Sequence, residues 1–116
     1  YVLFFDRLAN VVEIFRADTG THERTVNIAD PAFSTDPTPD LVAESPDGRF
    51  MYASLRGPRP LSGDPHASLG TTPGVMVIES LQDGRNLAVR GIARITNRDA
   101  DGVERADGHG IRVRRK

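Results

Sequence analysis

A chain of 116 residues with a formal net charge of −1 is long enough for one ordinary domain. Its 15 basic and 16 acidic residues leave no electrostatic footprint for nucleic acid and no polybasic membrane patch. Cysteine is absent, which excludes disulfides and thiolate metal sites.

In chain order, Tyr1–Asp6 reads as an apolar strand. Its run from Tyr1 to Phe5 is the longest apolar stretch, far short of the ~18–20 residues a membrane helix needs. Val11–Arg16 and Glu23–Ala29 follow, separated by a Thr19-Gly20 turn. Asp30 to Pro39, with prolines at 31, 37 and 39, is expected to be a rigid connector. Leu41–Ser45 and Phe50–Arg56 flank Pro46-Asp47-Gly48, where Gly supplies the positive φ of a tight hairpin. Arg56 to Pro73 is a long insertion with Pro58, Pro60, Pro65 and Pro73, and loops of that length are uncommon unless functional or disordered. Gly74–Ser80 contains the unbroken apolar run Val75-Met76-Val77-Ile78, which suits a strand covered on both faces. Asp83-Gly84 is expected to turn the chain into Leu87–Ile95, and Gly110–Arg114 is the last predicted strand. No segment shows a sustained helical period.

These strands repeat in a fixed order. Tyr1-Val2-Leu3-Phe4 matches Tyr52-Ala53-Ser54-Leu55, Val11–Phe15 matches Val75–Glu79, and Thr25-Val26-Asn27-Ile28 matches the strand from Leu87. His109-Gly110-Ile111-Arg112-Val113-Arg114 matches Pro39-Asp40-Leu41-Val42-Ala43-Glu44. Four strands per repeat point to propeller blades, which need roughly 4–8 such sheets to close a ring. The expected fold class is therefore all-β, a fragment of a β-propeller with about two four-stranded antiparallel blades. Residues 1–39 form the second to fourth strands of one blade plus its connector. Residues 40–96 form a complete blade carrying the long loop 56–73, and residues 97–116 form a connector and the first strand of the next blade. Because the chain opens on a second strand, a piece of a longer protein is expected. The alignment also predicts that Glu44 and Arg114, on successive innermost strands, approach as a partly exposed ion pair.

The run Ser45-Pro46-Asp47-Gly48-Arg49-Phe50-Met51-Tyr52 resembles the YVTN-type β-propellers, a superfamily shared with lactonase-like seven-bladed propellers. Tyr1-Val2 and His109-Gly110-Ile111-Arg112-Val113 are similar to the same repeat. The insertion at 56–73 departs from that pattern. The resemblance implies a segment of an exported binding or scaffold protein, periplasmic or extracellular. The alternative is part of a lactonase-like hydrolase with its site at the channel mouth. Expected partners are the remaining blades of the same protein and a small-molecule or protein ligand, with no nucleic acid and no membrane span.

Candidate site residues are few. Asp64 and His66 lie together in the insertion, where the carboxylate can orient the ring toward a ligand. The same pair also suits a solvated loop. His109 precedes an innermost strand and is expected near the channel rim, either as a ligand contact or as a cap on backbone groups. Asn97, Asp99 and Asp101, followed by Gly102, have the alternate oxygens of the first half of a calcium loop. The Glu expected at position twelve is missing, and a polar turn explains the same residues. No catalytic residue is identified: Ser45 belongs to the turn motif and lacks the setting of a nucleophile elbow.

Overall fold

A computed structural model describes residues 1–58, 70–95, 97–102, 104–105 and 108–115. The first sheet is an antiparallel meander of β1 (Val2–Asp6), β2 (Val11–Phe15) and β3 (His22–Asn27). The second is a four-stranded meander of β4 (Pro39–Glu44), β5 (Phe50–Leu55), β6 (Gly74–Leu81) and β7 (Asn86–Arg94). A short hairpin of β8 (Asn97–Arg98) and β9 (Glu104–Arg105) follows. The chain is all-β, and the helical geometry among the described residues is a single 3-10 turn at Gln82–Gly84.

Alternation drives this arrangement. In β2, Val12 and Ile14 are fully buried while Val11, Glu13 and Phe15 point to the other face. Met51, Ala53 and Leu55 of β5 and Met76 and Ile78 of β6 behave likewise. These side chains join Ile28 and Leu87 in one hydrophobic cluster, so the two sheets face each other across a shared core. The apolar run in β6 was expected to be covered on both faces. Here Met76 and Ile78 are buried, whereas Val75 and Val77 on the opposite face are only half-buried.

The hairpin between β4 and β5 shows why its sequence turns. Ser45 Oγ accepts from the Phe50 amide at 2.9 Å and donates to Asp47 Oδ1 at 2.6 Å. Asp47 Oδ1 also accepts from the Arg49 amide, and Gly48 takes φ +70°. The Ser45 hydroxyl, and secondarily the Arg49 amide, hold the Asp47 carboxyl below its usual range. A depressed carboxyl stabilises the fold above its ordinary value of about 3.9, and that contribution is lost as pH falls through the lowered value. Ser45→Ala is therefore expected to raise the Asp47 pKa toward the ordinary range, as read by a carbon-detected NMR titration. An unchanged Asp47 curve would mean that the hydroxyl does not hold the turn.

At the turn into β7, Asp83 (φ 56°) and Gly84 (φ 88°) take the expected left-handed backbone, and Gln82 (φ 53°) joins them. One expectation is corrected: residues 110–114, expected as the last strand, join no sheet, because no strand among the described residues hydrogen-bonds to them.

Candidate strand-entrance site

The start of β4 gathers charge from three other segments. Asp40, its second residue, has a side chain only 10% exposed. Its Oδ2 lies 2.6 Å from His109 Nδ1 and 3.7 Å from Arg56 Nη1, and its Oδ1 lies 3.5 Å from Arg7 Nη1. Arg7 immediately follows β1 and Arg56 immediately follows β5, so both leave their strands at the end where β4 begins. Arg56 is itself buried, and a carboxylate beside it offsets the cost of taking a guanidinium out of water.

Ser54 binds the C-terminal segment to the same place. Its buried hydroxyl accepts from the Leu41 amide at 3.1 Å and donates to the His109 carbonyl at 2.9 Å. Six residues further on, Arg115 Nη2 donates to the Pro46 carbonyl. The final segment therefore runs alongside β4 in the same direction, with His109 beside Asp40 and Arg115 beside Pro46. This register lies one residue from the expected alignment of His109 with Pro39. It also accounts for the failure of the expected ion pair: among the described residues, no salt bridge joins Glu44 to Arg114.

With Nδ1 against a carboxylate, His109 must donate from that nitrogen, which leaves Nε2 as an acceptor when the ring is neutral. The His109 side chain is 63% exposed, so Nε2 is accessible from solvent. An open cleft of about 490 Å³ lies against the site, between residues 4–8 on one side and Pro39 and Asp40 on the other. Within it, Asp6 Oδ1 is occupied by the amides of Leu8 and Ala9.

The roots of the insertion are stitched nearby. Thr71 N–H donates to the Asp36 carbonyl, and the buried Thr72 hydroxyl donates to Ser34 Oγ at 2.9 Å. Asn10 holds the same connector from the other side, through Asp36 Oδ1 and the Thr38 amide, both at 2.8 Å. Asp64 and His66 themselves lie outside the described residues.

Asn97 lies in β8, and Asp99 and Asp101 lie in the turn that follows it. The turn uses these groups itself: Asp99 Oδ1 accepts from the Asp101 amide, and the Asp99 carbonyl accepts from the Gly102 amide, both at 3.0 Å. Among the described residues, no three His, Asp or Glu side chains converge as a metal centre requires. His22 is exposed, with Nε2 2.7 Å from Glu13 Oε2 on the outer face of the first sheet.

Asp40, Arg7, Arg56 and Ser54 were not singled out from the sequence. A signal was present: placing Ile111 on Val42 rather than Leu41 sets His109 on Asp40. Comparison with known protein families, curated proteins and solved structures finds no match to this chain. Among the described residues, no helix is long and apolar enough to cross a membrane.

Proposed function

We propose that this chain is part of a YVTN-type β-propeller in an exported, periplasmic or extracellular binding protein, and that the strand-entrance site binds a small hydroxylated molecule at the channel mouth. One observation carries the reading: His109, ahead of the segment read as the next first strand, touches Asp40 at the start of β4 at 2.6 Å. In a ring, innermost strands run the same way around the channel, and side chains at their entrances converge on its mouth. A neutral His109 with Nδ1 donating to Asp40 offers Nε2 to a ligand hydroxyl. Arg7, at the edge of the cleft, supplies donors to the ligand's oxygens. Calcium at Asn97, Asp99 and Asp101 would order the connector into the next blade and is no part of this site.

The hydrolase reading rests on the same pair, since an oriented imidazole is also a general base for water attacking a lactone or ester. Binding is favoured because Ser54, the hydroxyl nearest the pair by hydrogen bonding, is committed to backbone groups of Leu41 and His109.

The test is an NMR titration of the protein with monosaccharides, polyols and sugar lactones, with product formation followed in the same tubes. Shifts should centre on Arg7, Asp40, Arg56 and His109. His109→Ala should bind about fivefold more weakly, the worth of one neutral hydrogen bond of ~1 kcal/mol. Turnover of the lactones that is lost in His109→Ala would replace the binding reading with the hydrolase one. Shifts that avoid these four residues would reject both.

A further inference from the structure

The connector between the sheets ends in an unusual run. Pro37, Thr38 and Pro39 are all buried, and the two prolines have no amide hydrogen to give. The Thr38 amide is therefore the one backbone donor of the three, and Asn10 Oδ1 accepts it at 2.8 Å. Thr38 also takes φ +39°, a left-handed backbone that is an outlier for a β-branched residue and lies directly ahead of a proline. Such a conformation persists only where its surroundings hold it, and held outliers gather at functional sites. Two residues after Thr38 comes Asp40.

Asn10 is the side chain that holds it. It stands at the end of the turn between β1 and β2 with φ +55°, a backbone that asparagine tolerates better than most residues with a β-carbon. Its side-chain oxygen faces the Thr38 amide, which can only donate. Its side-chain nitrogen faces Asp36 Oδ1, an acceptor when ionised, also at 2.8 Å. The partners thus fix the orientation of the Asn10 amide, and an ionised aspartate could not make both bonds. The same turn carries Arg7, and Asp6 stiffens it by accepting the Leu8 and Ala9 amides. Residues 4–8 form one wall of the cleft and Pro39 and Asp40 the other, so Asn10 joins the two walls. On the other side of the connector, Gly70 leaves no room for a side chain. A Cβ there would collide with Thr38 Oγ1 and lie 2.7 Å from the Asp36 carbonyl and 2.9 Å from that of Pro37.

We propose that Asn10 is the positioning residue of the strand-entrance site, a role that rests on the binding reading above. It fixes the wall bearing Arg7 to the wall bearing Asp40, and so sets the carboxylate 2.6 Å from His109 Nδ1. It acts through Asp40 and His109 rather than on the ligand. Without the Asn10 side chain, the buried Thr38 amide loses that acceptor. Thr38 then relaxes toward the extended backbone that a residue before proline favours, carrying Asp40 away from His109.

Asn10→Gly in the full chain tests this, because glycine keeps the left-handed backbone and the bond from the Ile28 amide to the residue 10 carbonyl. Nitrogen–proton correlation spectra of the imidazoles, taken without ligand, should show His109 losing its preference for a proton on Nδ1. Gly70→Ala leaves Asn10 in place and pushes the connector from its other side, and it should do the same. Ile78→Val weakens the core without touching the connector and should leave the His109 spectrum as in the wild type. With the monosaccharide or polyol that shifts the wild type most, Asn10→Gly should bind about fivefold more weakly. The double variant with His109→Ala should bind no more weakly than His109→Ala alone, since both act through one contact. A wild type that binds none of these compounds would end the binding reading, and the ligand-free spectra would still decide the role of Asn10. If one of the two connector variants does not fold, the other decides it. A His109 ring that keeps its Nδ1 proton in the folded variants, or additive losses in the double variant, would overturn the proposal.

Discussion

Replacing Ile78 with alanine is expected to remove about 4 kcal/mol of folding stability, near the upper end for truncating a buried aliphatic side chain. Ile78 lies at the centre of β6, pairs with Met51 on one side and Val89 on the other, and has no solvent exposure. Its cluster draws Val12, Ile14 and Ile28 from the first sheet and Met51, Ala53, Leu55, Met76 and Leu87 from the second. Losing three carbons there leaves a cavity between two packed sheets, and Ile78 sits on a strand paired on both sides, so little relaxation can fill it. Domains of this kind hold only about 5–15 kcal/mol in total, so a large share of the stability is at stake. Leu8→Ala, at an almost fully exposed position, should change stability by no more than about 0.5 kcal/mol. Urea unfolding of both variants at one protein concentration gives the comparison. Equal effects at the two positions would contradict a core shared between the sheets.

Asp40→Ala is expected to cost about 3 kcal/mol, the lower end for breaking a buried ion pair. The loss is concentrated on Arg56, whose guanidinium stays buried while its nearby carboxylate disappears. Arg7 is more exposed and loses less, as partly solvated pairs contribute about 1 kcal/mol or less. His109 loses the group that sets its ring, and among the described residues the final segment keeps the Ser54 and Pro46 hydrogen bonds as anchors. Hydrogen exchange in residues 108–115 should therefore accelerate in Asp40→Ala, whereas β2 and β6 keep their protection. A loss below about 1 kcal/mol would mean that solvent already screens the carboxylate from Arg56.

Most of the strands are legible because burial imposes a period of two. Val12 and Ile14 alternate with Val11, Glu13 and Phe15, and Ser45-Pro46-Asp47-Gly48 names its own turn through the hydrogen bonds that each residue type can make. The hairpin of β8 and β9 is not legible, since Asn97-Arg98 and Glu104-Arg105 carry neither β-branched nor aromatic side chains. The final segment reads as a strand because Ile111 and Val113 alternate with arginines, but a ladder needs a neighbour, and composition alone does not supply one. At the site, His109 was readable as a candidate from its place ahead of an expected strand. Its partner was not, because a one-residue slip in a period-two pattern exchanges the faces of every side chain. That slip put Pro39 where Asp40 belongs and set Arg114 against Glu44.

The contact between Asp40 and His109 ties the final segment to the start of β4, and nitrogen–proton correlation spectra of the imidazoles test it most directly. With the ring neutral, His109 is expected to carry its proton on Nδ1, with Nε2 free, and Asp40→Ala to remove this preference. A wild-type ring protonated on Nε2, with a spectrum that Asp40→Ala leaves unchanged, would contradict it.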